Sequence, residues 1–329
     1  MAQQVHKPLI SLISDGKFHS GTELAAGLGL SRSAVWKHLQ GLTALGLDVK
    51  AVPGKGYRLG RPLHLLSKTE ILANLAPPSA SRLAVLDIHD TIASTNAHLM
   101  ERGLQSAASG HICLAEYQSA GRGRRGRRWI SPFGHNVYLS LLWRYPDGPA
   151  SIAGLSLAVG VAVIRALNAL GIHDVMLKWP NDIYWQQHKL GGVLIDVSGE
   201  TGGPCFAVIG LGLNVYMPQQ SAKAIDQPWV DLETIVGALP PTFRNRLLAA
   251  IIDALLPVVA DFDAANLQDY LPEWRQLDAL KGKPVILMAG NQPFEGIATG
   301  IDDVGMLLMT LADGTLRPFA SGDVTFQRP

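Results

Sequence analysis

Cysteine is nearly absent from the 329-residue chain: only Cys113 and Cys205 occur, far apart and without CxxC spacing. Neither a disulfide framework nor a zinc site is therefore indicated. Charge is also sparse, at 17% of residues against 47% hydrophobic. Wholesale disorder is excluded, and a sizeable core is affordable. The opening MAQQVHKPLI lacks the basic-then-apolar pattern of a secretion signal. The apolar stretch from Gly154 to Ile164 ends at Arg165, short of the about 20 apolar residues a bilayer needs. These absences predict a reduced, soluble, cytoplasmic protein with no membrane partner. Internal repeats and low-complexity segments are lacking too, and the length predicts two or three domains.

Net charge is +1 and selects no partner globally. Its distribution is more informative. Residues 1–61 hold eight Lys and Arg against three Asp and Glu, a balance of +5. That leaves 20 of the 28 basic and 24 of the 27 acidic residues beyond it, a balance of −4. A basic head on an acidic body predicts a polyanion partner for the head.

The head reads as short helices followed by a hairpin. Leu9, Leu12 and Ile13 form an apolar stripe, Thr22–Leu28 a second helix, and Ser31 caps a third. In that helix Val35, Leu39, Leu42 and Leu45 share one face, while Ser33, Trp36 and Lys37 project elsewhere. Two short strands flank Pro53-Gly54-Lys55-Gly56. Ser31, Arg32, Ser33 and Lys37 on the helix, with Lys50, Lys55 and Arg58 on the wing, suit major-groove insertion with flanking phosphate contacts. Trp36 equally suits packing against the wing and is assigned no base contact.

Residues from about 66 to 270 alternate strands and helices. Strands are predicted at Ala84–Ile88, Ile112–Tyr117, Val137–Trp143, Val175–Lys178, Val193–Val197 and Phe206–Asn214, with helices starting near Ser94, Ile152 and Thr242. Gly192–Val197, Gly199–Pro204 and Phe206–Leu213 follow one another without a helix. That favours a mixed sheet with helices on one side. From Lys283 four short strands separated by glycine turns predict a small barrel. No residue from Lys283 to Pro329 advertises chemistry.

The segment Gly121-Arg-Gly-Arg-Arg-Gly-Arg-Arg-Trp129 carries five arginines in nine residues. Its glycines permit close backbone approach, and arginine forks match phosphate and carboxylate oxygens. It is neither a P-loop nor a dinucleotide fingerprint. Alone, it suits nucleic acid and nucleotide equally. Four further segments accompany it. Ser94-Thr95-Asn96 opens a helix where free N–H groups can cradle a polar ligand, although a plain N-cap explains Ser94 as well. Lys178-Trp-Pro-Asn-Asp182 presents a lysine, an amide and a carboxylate at one turn; its blander reading is a surface turn with an ion pair. Lys189-Leu-Gly-Gly192 stands at the mouth of an apolar strand. Gly210-Leu-Gly-Leu-Asn214 ends another strand with a buried amide that needs partners. Together these segments point to a nucleotide with positioned phosphates and leave the second substrate open.

The order STN, Gln118 with GRGRRGRRW, KWPND, KLGG and GLGLN closely resembles the biotin–protein ligase family, without departure at any motif. With the helix–turn–helix head, the whole chain resembles the family's bifunctional ligase/repressor branch in bacteria. The resemblance implies an α+β multidomain protein: a winged helix-turn-helix over 1–62, a mixed-sheet α/β ligase domain over 66–275, and a small SH3-like β-barrel over 276–329. It implies formation of biotinyl-5′-adenylate from biotin and ATP with Mg²⁺, then transfer of biotin to a lysine of the biotin carboxyl carrier protein of acetyl-CoA carboxylase. No activated Ser or Cys is needed, in keeping with the motifs present. It further implies repression of biotin-synthesis genes by an adenylate-bound homodimer on operator DNA.

Carried over by motif, biotin falls to Ser94, Thr95, Asn96, Gln118, Arg122, Gly123, Arg124 and Lys189. The nucleotide falls to Arg122, Arg124, Arg125, Lys178, Asn181, Asp182, Asn214 and Trp229, with Trp229 stacking on adenine. Arg124 and Lys189 are the catalytic pair, and no protein-held metal site is assigned. The arginine loop is expected to be mobile when empty and ordered by ligand. Two rivals stand beside this reading: a lipoyl or octanoyl ligase, and a non-catalytic ligand-sensing regulator.

Overall fold

The computed structural model describes residues 7–327. The head begins with α1 (Lys7–Ile13), α2 (Gly21–Leu28) and α3 (Arg32–Ala44). Ser20 and Glu23 form a reciprocal capping box on α2, and the Ser31 hydroxyl accepts from Ala34 N to start α3. Leu9, Ile10 and Ile13 are the buried face of α1, whereas Leu12 is 37% exposed. At about 100° per residue those three cluster within one sector, and Leu12 falls roughly a third of a turn away. Strands β1 (Val49–Val52) and β2 (Gly56–Leu59) form the antiparallel wing, pairing Lys50 with Arg58. The head core of Leu9, Val35, Leu39, Leu42 and Leu59 also takes in Phe133 from the next part of the chain.

Next come α4 (Lys68–Ala73), α5 (Pro77–Arg82), β3 (Val85–His89), α6 (Thr95–Leu104), β4 (His111–Ala115), β5 (Val137–Tyr145) and α7 (Leu155–Ala169). They are followed by β6 (Met176–Lys178), β7 (Asp182–Trp185), β8 (His188–Gly199), β9 (Cys205–Leu213), α8 (Gln219–Ala222), α9 (Leu232–Val236), α10 (Phe243–Asp261) and α11 (Leu271–Gln276). The strands form one sheet in the order β3-β4-β5-β9-β8-β7-β6. Only β3–β4 is parallel, so the sheet is mixed.

Helices cover both faces of this sheet rather than one. Strand alternation sends Leu139, Leu141, Ile209 and Leu211 toward α7 and α10, and Cys113, Leu142 and Val208 toward Leu99 of α6. Residues 200–204 form a turn between β8 and β9, not a strand, because Glu-Thr-Gly-Gly-Pro supplies turn chemistry. The helical stretch Pro149–Ala169 is longer than the apolar run within it and would suffice by length and composition to cross a bilayer. Of its most apolar window, 67% is buried inside the protein, as a core helix requires.

Strands β10 (Pro284–Ala289), β11 (Gln292–Ile301), β12 (Leu307–Leu311), β13 (Leu316–Phe319) and β14 (Asp323–Phe326) make an antiparallel sheet in the order β13-β12-β11-β10-β14. Its Val285, Leu287, Ala298 and Met309 are continuous with the central core.

Residues 61–67, which join the head to the sheet, are fastened along their length. Arg61 pairs with Glu233 at 2.6 Å and lies 3.8 Å above the Tyr216 ring. Arg244 donates to His64 O and to the buried Glu116 carboxylate, whose other oxygen accepts from Leu66 N. Asn245 bonds both Leu65 O and Ser67 N.

Candidate active site

The ends of β8 and β9, the turn at 178–182, the arginine loop and β14 enclose a cavity of about 440 Å³. Its two ends differ in chemistry. At the neutral end, Ser94 caps α6 by accepting from Ala97 N, and Thr95 N donates to Gln118 Oε1 at 3.0 Å. Gln118 Nε2 in turn donates to Ser131 Oγ. Ser140 Oγ lies 2.7 Å from Thr95 Oγ1 and 2.6 Å from Asn96 Oδ1. Asn96 Nδ2 reaches Leu194 O and Asp196. Buried hydroxyls and amides held this way form a polar surface of fixed geometry. Gly210 and Gly212 make room for it: a Cβ on Gly210 would sit 2.1 Å from Asn96 Oδ1, and one on Gly212 would sit 2.5 Å from the Trp129 ring.

At the cationic end, Lys189 Nζ lies 2.7 Å from Asp182 Oδ1 and Lys178 Nζ lies 3.5 Å from Asp182 Oδ2. Burial opposes the Asp182 charge, but Lys189 and Lys178 outweigh it and hold the carboxyl below its usual range. Burial lowers Lys178 from the usual ammonium value, with Asp182 resisting. One carboxylate between two ammonium groups leaves net positive charge facing the cavity. The Trp179–Pro180 peptide is cis, and the buried Trp179 indole donates to Gly305 O. Lys178 also lies 4.9 Å over the Tyr184 ring, and Lys189 lies 5.8 Å over Trp129.

Between the two ends the arginine loop lies closed. Gly123 N donates to Arg127 O, and Trp129 N donates to Gly121 O. Arg122 pairs with Asp196 at 2.8 Å, and Arg124 donates to Asn181 Oδ1 and Gly322 O. Arg125 and Arg127 both pair with Asp323 of β14. Burial lowers the Arg124 pKa from the usual guanidinium value.

Ser94, Thr95, Asn96, Gln118, Arg122, Gly123, Arg124, Lys178, Asn181, Asp182 and Lys189 all line this cavity. Three other expected residues do not. Arg125, at φ 55°, turns to Asp323 and Met288 O. Asn214 is buried and donates to Val230 O, anchoring the following loop. Trp229 sits beside Lys189 in a short parallel bridge, while Asp226, Gln227 and Pro228 of its loop reach the wall.

The sequence reading missed Trp129, Ser131, Ser140, Tyr184 and Asp196. It also missed the contribution of the C-terminal sheet, since Asp323–Gln327 form one wall. Ser140 has a weak signal, as a small hydroxyl side chain between apolar residues of β5. For Asp323 the sequence carries none.

In the head, Ser31, Arg32, Ser33, Lys37 and Lys55 are exposed, and Lys50 pairs with Asp48 at 3.0 Å. Trp36 is 52% exposed. Arg58 is half-buried: its guanidinium lies 4.9 Å over the Phe18 ring and donates to Gly16 O.

Three family descriptions match along the chain: an HTH domain over 7–58, the biotin/lipoate A/B protein ligase family over 89–214, and the biotin protein ligase C-terminal domain over 281–326. The chain is 42% identical to the bifunctional ligase/repressor BirA of Escherichia coli K12, covering 97% of this chain and 96% of that one. Against the BirA of Bacillus subtilis 168 it is 31% identical over 98% and 99%. The biotin protein ligase of Aquifex aeolicus, solved with biotin and ATP, shares the fold at a TM-score of 0.62 and 24% identity, covering 75% of this chain and 100% of that one. The chain therefore belongs to the biotin–protein ligase family, in its bifunctional ligase/repressor branch.

Proposed function

We propose that the chain joins biotin to ATP and then to a carrier protein, and that it also acts as a biotin-responsive repressor. A biotin carboxylate oxygen attacks the α-phosphorus of ATP and pyrophosphate leaves, giving biotinyl-5′-adenylate. A carrier lysine amine then attacks the acyl carbon, loses its proton to solvent, and AMP departs. The carrier is the biotin carboxyl carrier protein of acetyl-CoA carboxylase. One observation carries the reading: a neutral hydrogen-bonding pocket and a group of cationic side chains that includes Arg122, Arg124, Lys178 and Lys189 share one cavity.

The uncharged ureido ring of biotin suits Ser94, Thr95 and Gln118, with Asn96 behind them. Arg122, Gly123 and Arg124 suit its carboxylate and the phosphates. Lys189 would offset charge developing at the α-phosphate, and Lys178, Asn181 and Asp182 would line the nucleotide side. Asp182 is committed to two lysines and Asp323 to two arginines. These lining carboxylates therefore make no dedicated Mg²⁺ cage, and Mg²⁺ enters as the counterion ATP carries.

The head over 1–62, the ligase unit over 66–275 and the C-terminal unit over 276–329 divide the work. The exposed Arg32, Ser33 and Lys37 would meet operator DNA, bound by a cytoplasmic, adenylate-loaded homodimer repressing biotin-synthesis genes. ATP–pyrophosphate exchange with biotin, lipoate or no acid tests the catalytic part. Exchange with biotin alone is expected; exchange with lipoate would point to the lipoyl ligase, and no exchange with either acid to the sensor.

A further inference from the structure

The face of the sheet under α6 carries an unusual density of metal-ligating side chains. Alternation puts Asp87 and His89 of β3 and His111 and Cys113 of β4 on that face, and the parallel register sets Asp87 beside Cys113. His98, one turn beyond the start of α6, closes over them, its ring 5.0 Å from that of His89. The donor atoms of His89, His98 and Cys113 all lie within 4.8 Å of one another. A filled tetrahedral site with ligands at about 2.0–2.3 Å has donor separations of roughly 3.3–3.8 Å, so closure by about an ångström completes the set.

A second observation marks the same place. His89 Nε2 is buried and has no hydrogen-bond partner among the described residues. A buried ring nitrogen without a partner is costly, and a ligand satisfies it. His111, by contrast, is committed: its Nε2 lies 2.7 Å from Asp87 Oδ2. That leaves two imidazoles and one thiol for the ion, with the Asp87 carboxylate nearby to balance its charge. Such a donor set suits a thiophilic ion and not an oxygen-seeking one such as Mg²⁺. Sequence spacing conceals the cluster, because its members come from two strands and a helix.

We propose that His89, His98 and Cys113 bind a thiophilic ion, Zn²⁺ or Cu⁺, outside the catalytic cavity, with a fourth position open to water. The ion fastens α6 to β3 and β4. Because Ser94–Asn96 at the start of α6 belong to the neutral end of the cavity, this site sets the anchorage of that end.

The test uses the full-length, reduced, metal-free protein. Co²⁺ serves as the optical probe, Zn²⁺ as its competitor, and Cu⁺ is titrated anaerobically against a chromophoric chelator. One equivalent of Co²⁺ with a thiolate charge-transfer band is expected, displaced by Zn²⁺ or by Cu⁺; the tighter of the two identifies the ion. Cys113→Ser should abolish the band. His98→Gln, at a half-exposed position that leaves the core intact, should weaken Zn²⁺ binding at least about tenfold, since losing even a residue that merely orients a ligand costs about that much. Circular dichroism checks that both variants fold. Saturating biotin should leave the band in place. Absence of the band in wild type, its survival in Cys113→Ser, or unchanged affinity in His98→Gln would overturn the site.

Discussion

Asp182→Asn should unbalance the cavity more than any other single isosteric change. The substitution keeps shape and volume but removes the carboxylate between Lys189, at 2.7 Å, and Lys178, at 3.5 Å. All three side chains are at most 14% exposed, so two ammonium groups are left facing each other with little solvent. Removing one partner of a buried pair costs about 3–5 kcal/mol. The mouth of the cavity admits some water, which trims the expected loss to roughly 2–3 kcal/mol. Urea denaturation at neutral pH would read it as a lowered midpoint at unchanged slope. Pyrophosphate, which brings negative charge to the same lysines, should restore more stability in the variant than it adds to wild type. The pH dependence has a definite sign. Because the folded carboxyl is held below 3.8, its contribution is present above that value and fades as pH falls through the lower folded one. The gap between variant and wild type should therefore close in acid. A loss below about 0.5 kcal/mol, which is ordinary for a surface change, or equal pyrophosphate effects in the two proteins, would refute this account of the triad.

Arg124→Ala and Lys189→Ala should each slow adenylation at least about tenfold, or about 1.4 kcal/mol of barrier; wild-type turnover in both would remove them from the chemistry. Burial pushes the Asp278 carboxyl up to about 6, and its Oδ2 has no partner among the described residues. An acid raised in the folded state costs stability as pH rises from 3.8 toward 6, so Asp278→Asn should be more stable by roughly 1–3 kcal/mol above pH 6 and no different below 3.8. Thermal melts across that range check it, and a gap independent of pH counts against it. Operator affinity should fall steeply with salt, and Lys37→Ala should lower the slope of log K against log salt by about one; anisotropy titrations giving an unchanged slope would take Lys37 off the DNA.

The residues that could be read from sequence are those whose signal is local. Near-continuous apolar runs located β5 and β9, and the glycine–arginine run of 121–129 announced one wall of the cavity. The lost features depend on distance. Asp323 meets Arg125 across 198 residues, a pairing no window reveals. Ser140 sits between apolar neighbours in β5, and only its partners Thr95 and Asn96 show what it does. Asp182–Trp185 and the first residues of β8 went unrecognised because DIYWQQHKLGG mixes polar and apolar positions without a clean period. Arg58 reads as a wing cation from its position, but the Phe18 ring and Gly16 carbonyl capture it. A one-sided sheet was expected because several strands follow one another without a helix; α6, polar on average, covers the second face through the buried Leu99, which packs with Cys113, Leu142 and Val208.

The fastening of residues 61–67 by Glu116, Arg244 and Asn245 has a hydrodynamic consequence. A head on a slack tether would rotate on its own, with the short correlation time of a body of some sixty residues. Here the connecting segment is stitched to Glu116, just past β4, and to α10, so the head should tumble with the whole 35.3 kDa chain. A fluorophore on the exposed side of α3 would then report the slow anisotropy decay of the entire molecule. The orientation in which α3 meets a duplex is thus set by a carboxylate and a guanidinium buried at the sheet, far from any base.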